Sequence, residues 1–215
     1  MKRLFLTSTV EQVGVANSIR AKIGGMEPLH TCFLTTPSET PEEASDATML
    51  DNERQMLNDA GFNTFDYTIT DKSLSEIESD LQDIHVLHIT GGNEFYLKQQ
   101  SNKCNFGEFV TRFVSRGGVY IGSSCGSIIA GSDMSPTLKL NDISSLTLPI
   151  DMTGYGVVDF TVLPHWGSDN FHNLYLTDSL EQIYQEKNQL VVLNDHCYVE
   201  IVDDQFRIVD VRSEK

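Results

Sequence analysis

Short apolar runs rich in β-branched and aromatic residues recur along the chain, and longer segments with a helical spacing of apolar positions separate them. Residues 2–8 read as a buried strand, and Asn17 to Ile23 as part of a helix that stops at Gly24-Gly25. His30 to Thr36 is a second strand, followed by the turn-rich Pro37-Ser38-Glu39-Thr40-Pro41. Ser45 to Asp59 forms an acidic helix with Gly61 as its stop, and Asn63 to Thr70 a third strand. A capping pattern, Ser73-Leu74-Ser75-Glu76, opens a helix that runs to about Asp83. Ile84 to Thr90 is a strand that delivers Gly91-Gly92-Asn93, and a helix follows through Phe95-Tyr96-Leu97. Phe106 to Ser115 is the next helix, closed by Gly117-Gly118 before the strand Val119-Tyr120-Ile121. Further on, Leu146 to Pro149 and Val157 to Leu163 suggest short strands, and Thr177 to Glu186 a helix. Gln189 to Leu193 reads as a strand, and Cys197 to Val202 with Gln205 to Val211 as an antiparallel hairpin. Strands separated by helices, with connections too long for hairpins, predict an α/β fold. Its sheet is mostly parallel, sandwiched by helices, and ends in an antiparallel hairpin.

The length of 215 residues, without repeat, linker or low-complexity tract, suits a single domain over 1–215. A net charge of −16, with no basic stripe, argues against a nucleic-acid partner. The acidity is spread along the chain and reads as solubility. No stretch approaches the roughly 20 apolar residues of a membrane span, and the apolar start at Leu4 is too short for a signal peptide. No membrane partner and a cytoplasmic location are therefore expected. Cys32, Cys104, Cys125 and Cys197 are scattered, so reduced thiols are expected, with no metal site and no cofactor.

The chemistry centres on Gly122-Ser123-Ser124-Cys125-Gly126, where an apolar strand turns sharply into Ser127-Ile128-Ile129-Ala130. Gly-x-Ser-x-Gly at a strand-to-helix turn is the nucleophile-elbow pattern, in which glycines two residues either side of the serine let chain segments pass close by. Cys125 is off-frame, because Ser123 and Ser127 stand where its glycines belong. Its contribution is the backbone N–H, a donor for an oxyanion. Gly92, at another strand end, is the candidate for the second donor. A serine hydroxyl needs a base, and the base needs an orienting group. His165 follows Val162-Leu163-Pro164 at a strand end, the edge where open parallel sheets assemble their sites. His30 starts a strand and reads as structural; His85 and His88, in a central strand, stand open between core and other roles, and His172 near a helix start is a weak functional candidate. Asp195, after Val191-Val192-Leu193-Asn194, fits the orienting carboxylate by position; Asp133 and Asp142 compete with it. Asn93 and Glu94 beside the glycine pair, and Trp166 beside His165, are candidates for substrate contact.

Three segments, in order and at similar spacing, resemble the peptidase E family of serine exopeptidases, which includes aspartyl dipeptidases and, more distantly, cyanophycinases. They are Thr90 to Leu97, Tyr120 to Gly126 and Leu163-Pro164-His165. The resemblance implies a flavodoxin-like or class I glutamine amidotransferase-like sandwich. It carries Ser124 as nucleophile, His165 as base and Gly92 with Cys125 as oxyanion donors, acting on short peptides. For the acid, a late family Leu-Pro-Glu aligns with Leu193-Asn194-Asp195. An earlier Asn-Asp-Met-Pro aligns with the stretch around Asp133 or with Asn141-Asp142. Asp195 is preferred. Related amidase or cyanophycinase-type hydrolysis, and ligand binding without catalysis, are the alternatives. Cys125 replaces the family's usual alanine and Glu94 a common threonine. Residues 166–180 contain no Arg or Lys to meet a substrate aspartate, which argues against strict Asp-X specificity.

Overall fold

Alternate residues of the parallel strands feed two separate cores, as a pleat of period two requires. The computed structural model describes all residues except 26, 46, 141, 142, 145, 180–182, 184–188 and 215, and leaves out the side chains at 45, 47 and 177–179. In β1 (Arg3–Thr7), Leu4 and Leu6 join one buried cluster and Phe5 the other. Helix α1 (Val15–Ile23) covers the Phe5 face through Val15, Ala16 and Ile19. β2 (Leu29–Leu34) repeats the alternation, with Cys32 and Leu34 on the first face and Phe33 on the second. α2 (Ala47–Asp59) adds Leu57 to the Phe33 side, and β3 (Phe62–Tyr67) follows.

The opposite face is covered by the next helices. α3 (Leu74–Asp80) starts on a complete capping box between Ser73 and Glu76, as the sequence pattern predicts. After β4 (Val86–Ile89), α4 (Glu94–Cys104) runs well beyond the Phe95-Tyr96-Leu97 core of the expectation. α5 (Phe106–Ser115) buries Phe106, Phe109, Val110, Phe113 and Val114, an i, i+3, i+4, i+7, i+8 stripe on the Leu4 side. β5 (Val119–Ser123) then leads into α6 (Cys125–Ile128), a single turn.

Among the described residues the main sheet has the order β3-β2-β4-β5-β1 in parallel. It continues through the antiparallel pair β8 (Cys197–Val202) and β9 (Gln205–Asp210). The mostly parallel sheet between helices, with a C-terminal hairpin, is the expected architecture. A second, two-stranded parallel sheet joins β6 (Thr161–Leu163) to β7 (Leu190–Val192), and α7 (Asp169–Asn173) lies between them in sequence. No helix among the described residues is long and apolar enough to cross a membrane.

Two local expectations fail. Leu146 to Pro149 forms no strand, and Leu148 is exposed next to a cis Leu148–Pro149 bond. Of Val157 to Leu163, only the last three residues pair as a strand. The N–H groups of Val157 and Val158 both reach the Ala130 carbonyl, so this stretch closes over the end of α6 instead of joining a sheet. The helix expected over Thr177 to Glu186 lies largely outside the described residues.

The excursion between α6 and β6 is tied back to α4 by Asp151. Burial raises that carboxyl, but hydrogen bonds from Asn102 and Thr153, with Lys98 nearby, outweigh it and pull the pKa from 3.8 to about 2. A depressed carboxylate stabilises the fold above its ordinary pKa and loses that contribution as pH falls through the folded value. Urea midpoints measured from pH 5 downward should fall between pH 3.8 and about 2, and Asp151→Asn should flatten that part of the curve.

Candidate active site

Ser124 follows β5 with φ 48° and ψ −106°, a backbone that L-residues rarely adopt and that must be held by its surroundings. The holding is steric. A Cβ on Gly126 would sit 2.3 Å from the Ile89 carbonyl oxygen, and one on Gly122 2.5 Å from the Gly126 carbonyl carbon. Only glycine lets the end of β5, the start of α6 and the end of β4 come this close. Polar pins complete the turn. The Ser124 N–H donates to the Thr7 carbonyl at 3.0 Å, and the Tyr120 hydroxyl to the Gly126 carbonyl at 2.6 Å. The Ser127 hydroxyl lies 2.7 Å from the Thr7 carbonyl and 2.8 Å from that of Gly122.

His165 comes from the small sheet. The β6–β7 ladder extends past its last strand pair, because Leu193 N–H donates to Leu163 and Trp166 N–H donates back to Leu193. This sets the loop after β6 beside the loop after β7. There the Asn194 side chain accepts from His196 N–H and caps its own turn, while Asp195 faces the imidazole. His165 Nδ1 lies 2.8 Å from Asp195 Oδ1, and His165 Nε2 lies 3.0 Å from Ser124 Oγ. The carboxylate accepts from Nδ1–H, so Nε2 is left as the acceptor for the serine hydroxyl. The Phe171 ring stacks on the imidazole at 4.7 Å, and the Tyr175 hydroxyl donates to the Pro164 carbonyl at 2.7 Å. The three side chains that the sequence singles out thus form one hydrogen-bonded series, drawn from two sheets.

The other candidates separate. Gly92 and Glu94 line the same cavity of about 230 Å³ as Ser124 and His165. Gly92 has φ 124°, and a Cβ there would meet the Pro37 carbonyl oxygen at 2.5 Å. Its lack of a side chain serves this chain contact. Gly91 backs onto Ser124: a Cβ on it would lie 3.7 Å from Ser124 Cβ. Asn93 is the N-cap of α4 and accepts from the N–H groups of Phe95 and Tyr96; Glu94 is fully buried and accepts from the Thr137 hydroxyl at 2.6 Å. Trp166 packs on Tyr175 at 5.2 Å and does not line the cavity. Asp133 accepts from the Ser135 N–H and hydroxyl, which turns it toward its own loop; Asp142 lies outside the described residues. The buried Cys125 thiol is pushed well above its ordinary pKa, by burial first and then by Glu94, Glu43 and Glu53. It stays protonated and is a poor competitor to Ser124. Among the described residues, no group of three His, Cys, Asp or Glu side chains comes together to hold a metal ion.

Ser8 is the residue that sequence reasoning misses. It follows β1, lines the cavity, accepts from His165 N–H at 3.0 Å and donates to the Leu193 carbonyl at 3.0 Å. One hydroxyl therefore fastens the histidine loop and the aspartate loop to the edge of the main sheet. His165 has φ 59°, so its backbone also needs such support. No pattern in the sequence marks it: that β1 neighbours β5 and ends at the same edge is set by the topology.

A hydroxyl, an imidazole and a carboxylate in series at the edge of a parallel sheet is the layout of hydrolases that work through a nucleophile and a general base. Comparison with known proteins gives the family. The chain belongs to peptidase family S51, whose model matches residues 5–209; membership supports a peptidase. It is 26% identical over 200 residues to an uncharacterized peptidase of Listeria monocytogenes, covering 91% of this chain and 92% of that protein. It is 23% identical over 209 residues to an uncharacterized peptidase of Pasteurella multocida, with 97% of each covered. The peptidase E of a Nostoc species is 27% identical over 146 residues, 68% of this chain and 55% of that protein. A crystal structure of a Listeria monocytogenes protein provisionally named peptidase E superposes with a TM-score of 0.86 at 21% identity, covering 98% of both chains. A peptidase from an acI-B1 Actinobacterium gives 0.67 at 15% identity, covering 98% of this chain and 88% of that one. Both share the fold.

Ser8→Ala removes the clasp and leaves the His165 N–H without its acceptor. Labelling of Ser124 by a fluorophosphonate should slow by about tenfold or more, since small misplacements of a reacting group carry penalties of that order. The expected companion result is a far-UV circular dichroism spectrum unchanged from the parent protein.

Proposed function

We propose that the protein is a serine exopeptidase that hydrolyses dipeptides or short peptides through an acyl-enzyme. Ser124 Oγ attacks the scissile carbonyl carbon while His165 Nε2 takes its proton. Asp195 keeps the proton on Nδ1 and stabilises the imidazolium that forms. The oxyanion of the tetrahedral intermediate accepts from the N–H groups of Gly92 and Cys125; Cys125 N–H opens α6 and has no acceptor within that helix. The C–N bond then breaks, and the leaving amine carries off the proton from Nε2. Water, activated by the same imidazole, attacks the ester, and Ser124 regains its hydrogen.

The observation that carries this reading is the pair of contacts at His165, 3.0 Å to Ser124 and 2.8 Å to Asp195. Family membership supplies the bond class, and the partly enclosed cavity suits a small substrate. Short peptides, rather than folded proteins, fit a space of about 230 Å³.

Ser124→Ala should abolish dipeptide hydrolysis with the fold retained, and a fluorophosphonate adduct should form on Ser124 alone. Asp195→Asn should lower kcat by about a hundredfold to ten-thousandfold, while Asp133→Asn stays near the parent rate. Full turnover by Ser124→Ala would end the proposal. An inert serine with ligand binding intact would favour a binding protein, and cleavage of N-acyl amides in place of dipeptides would favour an amidase.

A further inference from the structure

The cavity at Ser124 lies across the edge of the main sheet, and its two sides differ in chemistry. On one side stand Met49 and Glu53 of α2, a helix that packs on the Phe33 face through Leu50 and Leu57. On the other stands Ile128 of α6, which belongs to the Leu4 cluster and whose N–H donates to the Ser124 carbonyl at 3.0 Å. β6 buries Val162 in that same cluster, so the small sheet brings His165 to Ser124 from the α6 side. There the Phe171 ring lies on the imidazole at 4.7 Å and 17°, and Phe171 and Leu140 both pack against Leu163 and Tyr175. Phe171, Leu140 and Pro164 line the cavity together. Phe171 and Leu140 are only partly buried, so each keeps apolar surface for a ligand to cover. The carboxylate on this side, that of Glu94, accepts from the Thr137 hydroxyl at 2.6 Å.

We propose that Phe171, Leu140 and Pro164 form the subsite for the leaving residue and select an apolar side chain there over a polar one of the same size. This deepens the peptidase reading and rests on it, because a residue leaves only if Ser124 is acylated. The proton on His165 Nε2 must reach the departing nitrogen, so that nitrogen lies within hydrogen-bond reach of the imidazole. The leaving residue is therefore held on the His165 side of Ser124. Its side chain, borne on the carbon next to that nitrogen, meets the wall that Phe171 builds on the imidazole. A leucine covering this wall takes apolar surface out of water. An asparagine of the same shape gives up its hydration without a partner, because the side chains of Phe171, Leu140 and Pro164 offer neither donor nor acceptor.

The test keeps one acyl residue fixed and varies the leaving residue as leucine, asparagine, methionine and glutamine. In the parent enzyme, kcat/KM should be higher by about tenfold or more for leucine than for asparagine, and for methionine than for glutamine. An apolar preference equally large when the acyl residue is varied instead overturns the assignment. Leu140→Ala and Phe171→Ala, checked for folding by thermal melting, should each lower the leucine-to-asparagine ratio by about threefold or more. The ratio is the reading because a misplaced imidazole slows both peptides alike, so loss of the stack on His165 does not by itself move it. Met49→Ala, across the sheet edge, should leave the ratio within about twofold; a fall matching that of Leu140→Ala overturns the proposal. The same peptides are titrated calorimetrically into Ser124→Ala, which reads the subsite without turnover. If the parent enzyme hydrolyses none of them while Ser124→Ala binds the leucine peptide tighter than the asparagine one, the peptidase reading fails and the apolar subsite stands. Hydrolysis of both at equal kcat/KM overturns the subsite and leaves the peptidase reading intact. No turnover with equal binding overturns both.

Discussion

The site depends on a space too small for a methyl group. At Gly126 the chain passes so close to the Ile89 carbonyl that a Cβ would collide with it at 2.3 Å, and a Cβ on Gly122 would meet the Gly126 backbone at 2.5 Å. These contacts press the first turn of α6 against β4 and β5. They leave Ser124 at a positive φ that nothing in its own chemistry favours. The strain at one residue is affordable because it is surrounded by fully buried neighbours on both sheet faces, Ile121 and Ile128 among them. The same compression fixes where the Ser124 hydroxyl points, and the other parts of the site are arranged around that point.

Much of this was legible in the residues. The elbow shows in sequence because its requirement is steric and local: two glycines at fixed distances from one serine, after an apolar run. His165 and Asp195 show because both stand immediately after apolar strands, and strand ends in a parallel sheet share an edge. Ser8 does not show, since its role lies in one hydroxyl touching residues 157 and 185 positions away. A serine after a strand carries no periodic mark of that duty. Asn93 was legible as a polar residue near the site, but its carboxamide is occupied in capping α4. Trp166 adjoins His165 in sequence, yet its ring packs against Tyr175. In both cases neighbourhood along the chain overstated neighbourhood in space. Leu146 to Pro149 and Val157 to Leu163 read as short strands because they are apolar; backbone capture by the Ala130 carbonyl, a tertiary effect, decides otherwise for Val157 and Val158.

Charge shows the same limit from another side. A chain with net charge −16 and evenly scattered acids reads as a soluble protein and no more. Folding sorts those acids unequally. Most stay in solvent, where screening makes each of them nearly inconsequential. Glu53 and Glu94 are carried inside, against His88 and the Thr137 hydroxyl, and both line the cavity at Ser124. Composition thus gives the sum of the acids, and topology decides which of them reach the cavity.

The separate two-stranded sheet has a mechanical consequence. His165 and Asp195 leave adjacent parallel strands that are bonded to each other, whereas Ser124 leaves the seven-stranded sheet. His165 and Asp195 therefore sit on one support and Ser124 on another, so the 3.0 Å contact between Nε2 and Oγ bridges two separately built pieces of the fold. The Ser8 hydroxyl, at the end of β1, is a second bridge between the same two pieces.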